Sequence, residues 1–330
     1  MSKRRAILAL ALVLVLAVRP GRVEAWSSLF FLELQAVAAC AEREAKVVFF
    51  SHSRHDAMQK PSLGFDALLR LSGRSGDWGA VALQVRLAYD ADNSSKAELQ
   101  VYNAYFKSKL GFADLWAGHN RPALGLSSVL DSHAELLQPL TMQGIGFDRD
   151  WGFGLSRDFS WGSGGLSLTS GSGMTLKLSG NFLAAGRIAR GVLSRDNYSL
   201  GFSAAYGRVL DVMGPHIIMD EPGAFRCVAF DASHLWRRVE NRIEVAAGTS
   251  RDDDLFALFW RGSLHFLEED RLRIELQPVF VRRGRDKGWE ISMGASFQAT
   301  AHLSLRAMGV WDEKRNDRRI VIQAYYYRAL

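Results

Sequence analysis

Charged and amide side chains recur at every second position of otherwise apolar stretches. Arg70, Gln84, Arg86, Arg242, Glu244, Arg261, Arg273, Glu275 and Arg306 fall this way, accompanied by Asp66, Glu98 and Glu290. On extended strands, alternate residues share one face. Such charges either pair across strands and stiffen a wall or, facing water, set the electric field along an enclosed lumen. Both signs are present, so mostly mutual pairing is expected, with only a weak preference for anions. A second set, Arg121, Asp131 and His133, lies in one long connection, "NRPALGLSSVLDSHAELLQPLTMQGIGF" (120–147). Its mixed apolar and polar composition suits a segment folded back against protein, where it would narrow an aperture, or an outer cap or oligomer contact.

Catalytic and metal chemistry find little support. "SHSRHD" brings Ser51, His52, His55 and Asp56 close in sequence, but on a strand His52 and His55 point to opposite faces and cannot share a site. "RDDD" (251–254) lacks the ligand number and spacing of a calcium loop. The chain has no CxxC and no CxxCH, so it carries no haem or redox centre of its own. No cofactor, metal ligand or catalytic residue is assigned, and the chain is not read as an enzyme.

The elements that position these residues are strands. Tyr198, Leu200, Phe202, Ala204 and Tyr206 alternate with Ser199, Gly201, Ser203, Ala205 and Gly207, and Trp289, Ile291, Met293, Ala295 and Phe297 alternate with Glu290, Ser292, Gly294, Ser296 and Gln298. A soluble sandwich also alternates, but its solvent face usually carries Lys, Glu and Thr, whereas Gly and Ser suit a crowded or water-filled interior. Strands are expected at 45–54, 64–73, 78–90, 97–108, 112–119, 149–159, 163–170, 174–181, 197–209, 224–236, 239–249, 254–266, 270–283, 287–299, 302–312 and 317–329. The fold class is therefore all-β, a single antiparallel transmembrane β-barrel of about sixteen strands, with 14 or 18 as the alternatives an even-numbered barrel allows. Segment 182–196 does not fit this scheme, because it is a long connection at the end where the others are short. Five prolines (Pro61, Pro122, Pro139, Pro215, Pro222) fall in connections, and only Pro278 interrupts an expected strand. Trp78, Trp151, Trp161, Trp236, Trp289 and Trp311 fall at strand ends, as interfacial rings do.

The chain opens with Lys3, Arg4 and Arg5, an apolar run from Ala6 to Val18 and a small-residue site at Val23-Glu24-Ala25. That is the layout of a secretory signal peptide, read as 1–25, with cleavage before Trp26. Residues 26–44 are read as a periplasmic N-terminal segment and 45–330 as the barrel. Removing the signal takes away five of the 41 basic residues and one of the 35 acidic ones, leaving a near-neutral chain with no electrostatic case for a nucleic-acid partner. The two cysteines, Cys40 and Cys227, are too few for a disulfide scaffold, and their pairing is left open.

"NAYFKSKLGFADLWAGHNRPALGL" (103–126) resembles the passage in phosphate-selective-type (O/P-like) porins where a strand, a tight turn and a second strand lead into a proline-containing loop. The resemblance implies a sixteen-stranded outer-membrane channel of a Gram-negative bacterium that assembles as a homotrimer. The lysine-rich constriction associated with phosphate selectivity has no matching run here. The expected function is a porin: a water-filled channel for passive diffusion of ions and small hydrophilic solutes, contacting outer-membrane lipid and narrowed by the 120–147 loop. A scaffold barrel holding a multihaem cytochrome partner is the alternative, and an outer-membrane hydrolase a more distant one.

Overall fold

The computed structural model describes residues 25–42, 46–48, 60–74, 76–89, 97–131, 133 and 135–330. The signal-peptide region and the Ser51–Asp56 cluster lie outside the described residues, apart from Ala25. In chain order the strands are β1 (Ala25–Ala41), β2 (Lys46–Val48), β3 (Ser62–Gly73), β4 (Gly76–Tyr89), β5 (Ala97–Lys109), β6 (Asp114–Asn120), β7 (Asp150–Phe159), β8 (Gly162–Thr169) and β9 (Phe182–Arg190). They continue as β10 (Tyr198–Met213), β11 (His216–Trp236), β12 (Val239–Ser250), β13 (Asp253–Phe266), β14 (Leu272–Arg283), β15 (Asp286–Gln298), β16 (Leu303–Asp312) and β17 (Asp317–Ala329). From β3 onward each strand pairs antiparallel with the next, β1 pairs with both β3 and β17, and the three-residue β2 adds to the edge of β1. The result is a closed antiparallel barrel of 16 strands. Closure runs from Phe31 opposite Ala329 to Ala41 opposite Arg319, so the aromatic C-terminal strand ends by pairing with the first strand.

The number of strands agrees with the sequence reading, but two members differ. Residues 26–41, set apart as a periplasmic segment, form β1, a full wall strand; their alternation is masked because Leu29, Phe30 and Phe31 run together. Residues 174–181, expected as a strand, lie in the connection between β8 and β9, while 182–190, expected as a connection, is β9. That shift removes the anomaly at 182–196, leaving a short turn with the one-turn helix Leu193–Asp196. Of the expected strand 45–54, only β2 is described. Residues 210–223, expected as a long loop, are instead the tip of the β10–β11 hairpin. Pro278 stays within β14: it pairs with Ile291 of β15, and the ladder to β13 skips from Val279 to Leu276 around the missing N–H.

Burial is inverted relative to a water-soluble protein. Ile320 (63% exposed), Met293 (63%), Phe202 and Leu166 point outward, while Glu244 (5%), Arg261 (2%), Asp231 and Gln323 are buried inside. Leaving a large apolar side chain in water forfeits about 1.5–3 kcal/mol each, so a continuous outer face of this kind requires lipid. Closure pairs the backbone polar groups around the ring, the condition for strands to cross a bilayer. Among the described residues no helix is long and apolar enough to cross a membrane.

Candidate functional site

The connection between β6 and β7 (121–149) folds into the ring and divides its interior. Toward β10–β14 it packs closely: Leu124, Leu126, Leu140, Ile145 and Phe147 join a buried cluster with Phe225, Leu255, Phe259 and Val279 of the wall. Leu136 and Leu137 pack against Val37, Met308, Val310 and Val321. Polar anchors fix the loop's height. The Gly125 N–H donates to Ser203 Oγ (3.0 Å) and the Leu126 N–H to Glu244 Oε1 (3.2 Å). Gly125 has a φ of +58°, and an added Cβ would collide with the Glu244 carboxylate, so glycine is needed for that approach.

Glu135 is the strongest anchor. Arg261 Nη1 donates to its Oε2 (3.2 Å) and Arg273 Nη2 to its Oε1 (2.8 Å), while Arg261 also donates from Nη2 to the Leu137 carbonyl (2.9 Å) and from Nε to Gln277 (2.8 Å). Burial alone would raise the Glu135 pKa, but the charges of Arg273 and Arg261 outweigh it and hold the carboxyl below its ordinary value. Gln277 Nε2 donates to the Gln138 carbonyl (3.0 Å) and Arg283 Nη2 to that of Gly144 (3.2 Å). A buried arginine with every partner in place is a rigid clamp, and removing one partner leaves an uncompensated charge.

A second cluster holds the loop's near end. Arg86 Nη1 donates to Glu33 Oε1 (3.1 Å) and Gln35 Oε1 (2.8 Å), and its guanidinium lies 4.1 Å from the centre of the Tyr102 ring. His133 Nε2 meets Glu33 Oε2 at 2.7 Å. Burial, followed by the nearby Arg86 charge, pushes the His133 pKa down, which favours the neutral ring donating to Glu33. Asp131 is shared by Arg121 (2.7 Å) and Arg149 (3.2 Å), and Arg149 also pairs with Asp148.

On the other side of the loop the interior is open. A cavity of about 480 Å³ lies between residues 120–131 and the β5–β9 wall. Its polar lining includes Asn103, Tyr105, Lys107, Arg121, Asp131, Ser156, Asp158, Ser163 and Arg187. Small residues make the room: Gly164 and Gly165 line it beside the two serines. Its cations are matched by acids, with Lys107 paired to Asp114 (2.7 Å), Arg121 to Asp131, and Arg187 held by both oxygens of Asp231 (3.0 and 2.6 Å).

The expected lumen residues do share the inner face, but they divide by access. Gln84, Arg86, Glu244, Arg261 and Glu275 are buried beneath the loop or its partners. Arg70 is exposed, and Arg242, Arg273 and Arg306 are half-buried. Gln84 accepts from Asn103 (2.8 Å), Arg242 pairs with Glu240, Arg273 with Glu275 (3.2 Å) as well as Glu135, and Arg306 donates to Gln323 (2.8 Å). Arg121 and Asp131 meet, whereas the His133 ring turns away to Glu33, with only its backbone N–H reaching Asp131 (3.1 Å).

Sequence reasoning missed Glu33, Tyr102, Glu135, Arg149, Arg187 and Asp231. Asp231 was within reach, since it alternates with the inward Ala229 and Ser233 on β11 just as Arg242 does on β12. Glu135 and Arg149 carry no periodic signal, being placed by the loop's path. Cys40 is exposed on β1 and Cys227 buried on β11, and both are free thiols.

No family model matches the chain, and no curated protein matches it. Solved structures do match. A loop-deletion mutant of OmpT, an outer membrane protein of Vibrio cholerae, shares 12% identity at a TM-score of 0.67, over 92% of this chain and 100% of that one. The outer membrane channel DcaP of Acinetobacter baumannii shares 12% identity at 0.62, over 92% and 98%. An anion-selective porin from Comamonas acidovorans shares 11% at 0.62, over 93% and 100%. At these identities the likeness is one of fold, and the fold is that of the outer-membrane porin barrels.

Proposed function

We propose that this chain is an outer-membrane porin of a Gram-negative bacterium, carrying ions and small hydrophilic solutes passively along the cavity between the 120–147 loop and the β5–β9 wall. The observation that carries this reading is the inverted burial: an apolar surface facing out, charged and amide side chains facing in, and a polar cavity left open beside an internal loop. The loop sets the aperture because the opposite half of the interior is packed. Every charge named in the cavity except Asp158 has an opposite-sign partner named beside it, so the field is weak and the selectivity between small anions and cations is low. Lys107 is the only lysine among the cavity's lining residues, which gives phosphate no special site. Assembly as a homotrimer is proposed with the porin reading; a Vibrio cholerae OmpT structure is described as a trimer form. The alternative of a barrel holding a multihaem cytochrome has nothing in its favour, since the loop occupies the space a guest would need.

Purified protein in detergent should migrate differently on a gel before and after boiling, and should produce stepwise ion currents in planar bilayers. Protein that stays soluble and monodisperse without detergent would contradict the reading.

A further inference from the structure

The β10–β11 hairpin is longer than its place in the wall requires. Pairing with β9 ends at Arg208 opposite Phe182, and pairing with β12 starts at Phe225 opposite Ser250. Residues 209–224 therefore form a two-stranded ribbon with no strand on either side. Register shifts on both sides of Asp211 break its ladder, the kind of irregularity that bends a hairpin.

The tip reaches a distant part of the ring. Met213 is buried in one cluster with Tyr102 of β5 and Met142 of the internal loop. His216 Nε2 lies 3.1 Å from Glu98 Oε2, also on β5. In the order of the sheet, β6, β7, β8 and β9 stand between β10 and β5. These are the strands that, with β5, form the wall of the open cavity. The ribbon thus spans the end of the sector assigned to permeation. At the turn itself Thr175 Oγ1 donates to the Pro215 carbonyl (2.7 Å), and Lys177 Nζ donates to Asp220 on the returning strand (2.6 Å).

We propose that residues 209–224 are a hinged strap that covers one mouth of the cavity and opens by releasing Met213, Pro215 and His216 from Tyr102, Met142, Thr175 and Glu98. An isolated two-stranded ribbon is marginally stable in water, so its tip contacts decide its position. The base of the ribbon is fixed, with Leu210 buried and its N–H donating to the Gly171 carbonyl (2.9 Å) and Val209 and Val212 packed on the wall cluster, so the hinge lies there and the end beyond Val212 is the part that swings. The inference rests on the channel reading above.

The test is single-channel recording in planar bilayers on wild-type protein, on Met213→Ala/His216→Ala, and on Glu98→Cys/His216→Cys in a Cys40→Ala/Cys227→Ala background. A short bis-maleimide is used for the last, because the two positions are joined through long side chains and a direct disulfide has strict reach. Wild type should switch between a low and a high conductance level. The double alanine variant should spend roughly tenfold less time in the low level, the scale on which losing such contacts shifts a two-state equilibrium. Cross-linked protein should lose the high level, and the same protein before cross-linking should retain it. Equal conductance and dwell times in all forms, each migrating as folded barrel, would overturn the strap and leave the channel standing. No current from any folded form would overturn the channel reading and the strap with it.

Discussion

Two sectors of one wall obey the same alternation and do different work. Along β11, β13 and β14 the inward positions include Phe225, Leu255, Phe259 and Val279, which build an apolar seat for the internal loop. Along β7 and β8 the corresponding positions include Ser156, Ser163 and Gly165, which build nothing and leave a cavity. The rule of apolar outside and polar inside holds only where water reaches the interior. Where the loop reaches instead, the inner face becomes a protein core, with buried arginines as its fasteners.

The comparison breaks most sharply at Arg261. Replacement by Ala leaves the Glu135 carboxylate, the Leu137 carbonyl and Gln277 short of a donor in a buried place. The expected cost is about 3 kcal/mol, read as a lower unfolding midpoint in detergent, together with higher and noisier conductance as the loop loosens. A pair of glycines sharpens the contrast. An added Cβ at Gly294 runs into Leu137, whereas at Gly165 it meets only ordinary contacts with Ala123 and the Leu155 carbonyl at 3.6 Å. Gly294→Ala is expected to destabilise by about 1 kcal/mol or more. Gly165→Ala should leave the midpoint unchanged, and Gly165→Trp should cut conductance.

Acid should loosen the packed sector. The Glu135 carboxyl is held below its ordinary value of 4.5, so its contribution is present above that pH and is lost as pH falls through the lowered value. Unfolding midpoints measured from neutral pH down to below 4 should fall more steeply in wild type than in Glu135→Gln, which has no carboxyl to protonate. The smallest effect is expected at Arg121. Its partner Asp131 is 64% exposed, so Arg121→Ala should change stability by less than about 1 kcal/mol. Removing that cation from the cavity should move the reversal potential in a salt gradient toward cations, without changing the midpoint.

Much of the barrel could be read from periodicity, because lipid and water impose opposite demands on alternate residues. The strands from β10 to β17 follow that signal closely, β10 and β11 running past their expected ends. The first strand was hidden by the apolar run at Leu29 to Phe31, and β9 by its short side chains, Ala184, Ala185, Gly186 and Ala189, which mark neither face. Inner-face membership of Arg86, Arg261 and Glu275 was legible, but their burial was not. Burial depends on where the loop runs, and the loop's path is set by contacts far apart in sequence, such as Leu126 with Glu244 and Glu135 with Arg273.

The central claim is that water and ions pass beside the loop along the β5–β9 wall. The direct measurement is conductance of Ser163→Cys, in the Cys40→Ala/Cys227→Ala background, before and after a positively charged, membrane-impermeant thiosulfonate reagent. The account predicts a step decrease in current on modification, reversed by reducing agent, and no change for Phe202→Cys on the outer face. Unaltered current through a fully modified Ser163→Cys channel would contradict it.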